Sequence, residues 1–147
     1  MRRLHVHLAV ADLPANLDFY TRLLGAPPAL TRPDYARWVV DDPPLKLSVS
    51  RRNGPPGAGP EAFGLDHLGI AAADEADLAR LRERAEAATE GRLLDEGEVE
   101  CCYARSEKHW ATDPQGVPWE HFFTKGPADT LGSGEGVCCT GGASPCC

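Results

Sequence analysis

Two short patterns recur 62 residues apart. His5 is followed seven residues later by Asp12, and His67 is followed seven residues later by Asp74. Each histidine lies in a segment that reads as a strand, LHVHLAV (4–10) and FGLDHLGIA (63–71). Each aspartate is placed to cap a helix. After Asp12, Pro14 fits the first helical turn, Leu13, Leu17, Tyr20 and Leu24 recur at helical spacing, and Gly25 is a natural stop. After Asp74, Leu78, Leu81, Ala85 and Ala88 share one face, and Gly91 is placed to end the helix. A unit of about 60 residues cannot bury its own sheet face. A repeat of this length therefore implies two sheets packed or curled around a shared centre.

The rest of each unit reads as strands. In the first they fall near 27–32, 35–40 and 45–51, with DDPP (41–44) turning between the last two. In the second they fall near 92–97, 99–105, 108–112 and 117–123, with DPQG (113–116) as the last turn. NGPPGAGP (53–60), with three Gly and three Pro, is a linker. The fold class expected is α+β, built from two βαβββ modules at about 1–52 and 63–125. Residues 126–147 are rich in Gly, Ser and Thr, have little to pack, and are expected to be a disordered tail.

The net charge of −7, without a long run of one sign, argues against nucleic acid and against an anionic membrane surface. Asp12 interrupts the first apolar stretch too early for a signal peptide. No segment approaches the roughly 20 apolar residues that span a bilayer. A cytoplasmic location with reduced thiols is the expectation.

All six cysteines stand in adjacent pairs: Cys101–Cys102, Cys138–Cys139 and Cys146–Cys147. Consecutive Cα atoms lie about 3.8 Å apart, below the roughly 4.4–6.8 Å that disulfides prefer. Neighbouring thiolates instead suit one thiophilic atom that accepts two sulfurs. Successive side chains of a flat strand point to opposite faces, so Cys101 and Cys102 can converge only at a strand end, bulge or loop.

His5 and His67 hold equivalent repeat positions, so both can face the shared centre. WEHF (119–122) adds Glu120 on the last strand. Two histidines and one carboxylate form the facial set used for non-haem Fe(II). The position matching Glu120 in the first repeat falls in the linker, so the offset slips late. His7 shares a strand face with His5 and is the rival ligand. His121 alternates away from Glu120 and reads as structural, and His109 as solvent-facing.

LHVHLAVADLPANLDFYTRLLG (4–25), LDHLGIAAAD (65–74) and DPQGVPWEHF (113–122) resemble the three signature stretches of the vicinal oxygen chelate superfamily. Glyoxalase I, extradiol dioxygenases, and bleomycin- and fosfomycin-resistance proteins belong to it. The resemblance spans about residues 3–124. It implies paired βαβββ modules forming a curved sheet cup around a divalent metal, with ligands at His5, His67 and Glu120. YARWVVDDPPLKLSV (35–49), ECCYA (100–104) and KHWATDPQGVPWE (108–120) more narrowly resemble the carbon–arsenic lyases and cadmium-induced proteins. That resemblance implies that Cys101 and Cys102 bind a trivalent organoarsenical beside an Fe(II) that activates dioxygen, with arsenite released. YARSEKH (103–109) is then expected to be an exposed loop that closes over the substrate, with a plain surface hairpin as the open alternative. The modules can pair within one chain or swap between two, so a homodimer is open to the chain. Two other readings stay open. One is a non-catalytic cadmium- or arsenic-binding protein, favoured by the terminal cysteine pairs. The other is another enzyme of the superfamily using Zn(II), Mn(II) or Ni(II).

Overall fold

The computed structural model describes residues 1–52 and 63–130. The linker and the tail cysteines Cys138, Cys139, Cys146 and Cys147 lie outside the described residues. The chain divides into two compact units, Arg3–Leu68 and Met1–Arg2 with Gly69 onward, described here in turn.

In the first unit β1 (Arg3–Val10) leads into α1 (Leu13–Leu24), then β2 (Leu30–Arg32), β3 (Tyr35–Asp41) and β4 (Pro44–Arg51). The start of β5 (Gly64–Ala71) completes it. Asp12 caps α1 by accepting from the Ala15 N–H at 2.9 Å. Gly25 ends the helix at φ 64°, a backbone state that costs glycine nothing. The helix and the strands after it carry the chain back so that β4 can lie parallel to β1, from Leu4↔Leu45 to Val10↔Arg51. β3 pairs antiparallel with β4, and β2 with β3, giving the order β2-β3-β4-β1. Val10, Leu13, Ala36, Trp38, Leu47 and Val49 form the core, with Val6, Leu8, Leu17, Tyr20 and Leu24 against it. Val6, Leu8 and Val10 thus commit one face of β1 to the helix side. Strand alternation sends His5 and His7 to the other face.

In the second unit α2 (Glu75–Ala88) is followed by β6 (Leu94–Cys101), β7 (Ala104–Thr112) and β8 (Pro118–Pro127), in the order β5-β8-β7-β6. Counted from its own first strand, each unit has the same order, as the repeat requires. Asp74 caps α2 by accepting from the Asp77 N–H at 2.7 Å. Asp77, buried in the first turn, takes Nε and Nη2 of Arg2 at 2.9 and 2.6 Å. The Arg2 hydrogen bond, then one from the Ala73 N–H, hold its carboxyl well below the usual carboxylate range. The helix ends at Ala88 with Thr89 as its cap: Glu90 follows in the left-handed region at φ 54°, and the Gly91 N–H reaches back to the Glu86 carbonyl at 2.8 Å.

Two sequence expectations fail here. YARSEKH is not a loop. Ala104, Ser106 and Lys108 are buried and alternate with Arg105 and Glu107, which face outward on an uninterrupted strand. The outward charges have ion-pair partners, Glu98 for Arg105 at 3.6 Å and Lys125 for Glu107 at 3.0 Å. A half-charged strand face therefore resembled an exposed loop. Packing also does not end at Lys125: β8 continues to Pro127, and the backbone of Ala128 and Thr130 is hydrogen-bonded. No helix among the described residues is long and apolar enough to cross a membrane.

Candidate metal centre and thiol turn

His5, His7 and His67 are buried together in the first unit, each offering a ligand atom within 4.8 Å of the others. His5 donates Nδ1–H to the Lys46 carbonyl at 3.1 Å. His67 donates Nδ1–H to Asp66 at 2.7 Å. Each ring is thereby fixed with its Nε2 lone pair presented, and the two Nε2 atoms face each other at 3.3 Å. Two facing lone pairs repel unless a proton or a cation lies between them. Cis ligands at about 2.1 Å from one ion would stand about 3 Å apart, so the spacing fits a shared metal. Asp66 is braced by Arg52 at 2.6 Å. Burial alone would raise its carboxyl, but the His67 hydrogen bond and the nearby His7, His67 and Arg52 charges bring it down to about 2. His7 Nε2 lies 2.9 Å from Ser50 Oγ. The structure thus brings His5 and His67 together, as the repeat demands, and adds the rival His7.

Glu120 lies in the second unit, buried on β8, where it accepts a 2.6 Å ion pair from Lys108 Nζ. Side-chain exposure is 5% for Lys108 and 8% for Glu120. Burial would strip the ammonium of its charge, but Glu120, then Cys102 and Glu96, hold Lys108 protonated. Gly69 is the residue that permits this strand spacing, since a Cβ there would overlap the Glu120 carbonyl. Lys108 was not singled out by sequence reasoning. The one available signal was the alternation of β7, which puts Lys108 on the inward face.

Cys101 closes β6 opposite Ala104, leaving a two-residue turn of Cys102 and Tyr103. Both turn residues are left-handed, at φ 56° and 58°. This is the type I′ geometry of tight hairpins, here without the usual Asn-Gly. Being at a strand end, the sulfurs escape strand alternation and come to 3.2 Å. At that distance they are not bonded to each other, and Cys101 is disulfide-bonded in this structure. Joint use of both sulfurs therefore starts from the reduced protein.

His109 does not face solvent, and His121 is buried with it. They are directly opposite on β7 and β8, with ring centroids 5.0 Å apart and both buried. Burial, then the His121 charge, lowers His109 from 6.5 to about 4. A histidine depressed in the fold leaves stability intact above its unfolded pKa and removes it as pH falls toward the folded one. One pKa unit is worth about 1.4 kcal/mol. Between pH 7 and 4.5 the wild type should therefore lose on the order of 2 kcal/mol that His109→Phe retains. Urea midpoints of both proteins at the two pH values check this, and parallel losses would reject it.

Residues 2–121 match the family model of the glyoxalase/bleomycin resistance protein/dioxygenase superfamily. The chain belongs to this superfamily. The superfamily match contains His5, His7, His67, both turn cysteines, Lys108 and Glu120. Over 145 residues the chain is 41% identical to a trivalent organoarsenical cleaving enzyme of Thermomonospora curvata, covering 95% of this chain and 89% of that one. It is 37% identical to the cadmium-induced protein CadI of Mycobacterium tuberculosis, covering 100% and 93%. Among solved structures, a Streptomyces coelicolor methylmalonyl-CoA epimerase superposes with a TM-score of 0.56 at 21% identity, covering 85% of this chain and 98% of that one. At that identity the likeness carries the superfamily fold alone.

Proposed function

We propose that the protein cleaves the carbon–arsenic bond of trivalent organoarsenicals and releases arsenite. Fe(II) would be held by His5, His67 and Glu120, with dioxygen as co-substrate. The observation that carries this reading is the thiol turn, with two sulfurs 3.2 Å apart. At bonds of about 2.3 Å to a soft centre, such a spacing spans an angle near 90°. That angle suits a pyramidal, three-coordinate arsenic.

The chain's own residues supply capture and placement. An organoarsenous acid R–As(OH)2 exchanges its two hydroxyls for the sulfurs of reduced Cys101 and Cys102. Two waters leave, and the As–C bond stays intact. Fixing arsenic through two bonds removes its rotational freedom, a proximity effect. Lys108 orients Glu120 through their 2.6 Å ion pair. The Lys46 carbonyl and Asp66 keep His5 and His67 in the tautomer that donates through Nε2. Two imidazoles and a carboxylate suit a borderline divalent cation, and iron, when bound, supplies the dioxygen-activating chemistry.

The test is direct. The reduced protein is loaded with Fe(II) without oxygen, given a trivalent organoarsenical, and then exposed to oxygen. Inorganic arsenite should appear. The terminal cysteine pairs favour a second reading, a non-catalytic thiol binder of cadmium or arsenic. It predicts tight binding and no arsenite.

The ligand set has its own expected result. His5→Ala, His67→Ala and Glu120→Ala should each abolish stoichiometric Fe(II) binding. His7→Ala, removing a group that supports the cluster, should weaken it about tenfold. Full iron loading in His5→Ala beside none in His7→Ala would transfer the ligand role to His7.

A further inference from the structure

Both main-chain polar groups of Tyr103 are taken by the segment that follows β8. The Tyr103 N–H donates to the Thr130 carbonyl at 3.0 Å, and its carbonyl accepts from the Ala128 N–H at 3.2 Å. Just before it, Pro127 and Gly126 are the ladder partners of Ala104 and Arg105. Tyr103 is the second left-handed residue of the thiol turn. Neither Cys102 nor Tyr103 has the intrinsic left-handed preference of Gly or Asn. The turn needs an outside restraint, and these two hydrogen bonds are placed to provide one.

We infer that residues 128–130 act as a positioning clamp for the dithiol, holding Tyr103 left-handed so that Cys102 turns its sulfur back toward Cys101. The inference rests on the reading of Cys101 and Cys102 as the arsenical site. The clamp works through backbone groups, so it depends on an N–H at position 128 and not on the side chain there. It also places a functional limit within the segment expected to be a disordered tail. Chain up to Thr130 belongs to the site.

The probe is phenylarsine oxide, titrated into the reduced full-length protein and its variants, all with Cys138, Cys139, Cys146 and Cys147 changed to serine so that only the 101–102 pair can chelate it. Ala128→Ser keeps the N–H and should bind as the wild type does. Ala128→Pro removes the donor and should weaken binding on the order of fivefold, the loss of one hydrogen bond. Iron loading and thermal midpoint should stay near those of Ala128→Ser. Adding Tyr103→Gly to Ala128→Pro should restore affinity, because glycine adopts the left-handed state unaided. General damage to the fold would not be rescued in this way. A chain ending at Thr130 should match the wild type, and one ending at Pro127, which loses both hydrogen bonds, should show a defect at least as large as that of Ala128→Pro. Wild-type affinity in Ala128→Pro, or no rescue by Tyr103→Gly, overturns the clamp while leaving the dithiol reading standing. No binding by the wild type would remove the dithiol reading, and the clamp with it.

Discussion

Replacing either Cys101 or Cys102 with serine is expected to abolish organoarsenical capture and cleavage while the protein still folds and still takes up Fe(II). Serine is close to cysteine in size, so packing around buried Cys101 and half-buried Cys102 changes little. The chemistry changes completely. A soft thiolate is replaced by a hard hydroxyl that stays protonated near neutral pH. Two tethered donors gain about 10²–10⁴ in effective affinity over one. With the four tail cysteines changed to serine throughout, each single variant should therefore bind phenylarsine oxide at least about a hundredfold more weakly. The selectivity of the defect is its signature: arsenical lost, iron retained. If both single variants release arsenite at the wild-type rate from low substrate concentrations, the pair is not the substrate site. Another metal-dependent activity of the superfamily would then become the better reading.

Lys108→Met should strongly destabilise the second unit. The Lys108–Glu120 pair is almost fully buried and closed at 2.6 Å. Removing the ammonium takes its counter-ion from a buried carboxylate, a change that costs about 3–5 kcal/mol in buried pairs. The double variant Lys108→Met with Glu120→Gln should regain much of that loss, since neither charge remains. Urea unfolding of the metal-free proteins measures both. The same variant probes the metal. If Glu120 is a ligand, a divalent cation replaces the missing ammonium, and Fe(II) should stabilise Lys108→Met more than it stabilises the wild type. Equal stabilisation of the two would remove Glu120 from the ligand set. A wild-type urea midpoint for Lys108→Met would show that the buried pair contributes little.

Much of this protein is legible without coordinates because its signals are local. Asp12 and Asp74 each cap a helix with an oxygen three residues from its partner N–H, and Gly25 ends one at positive φ. Apolar alternation and the 62-residue repeat give the strand-helix-strand order and pair His5 with His67. The short Cα spacing of neighbours is enough to deny a bond between Cys101 and Cys102. What escaped the sequence depends on register between strands that are distant in the chain. His109 meets His121, and Lys108 meets Glu120, only because β7 and β8 pair as they do. Arg105 and Glu107 read as loop residues until Glu98 and Lys125 are seen opposite them. Cys102 and Tyr103 carry no glycine or asparagine to announce a tight left-handed turn. The turn is held by Ala128 and Thr130, more than twenty residues further along the chain. Local hydrogen bonds and periodicity are properties of a short window of sequence. Cross-strand partners are chosen by the whole sheet, and only the tertiary structure names them.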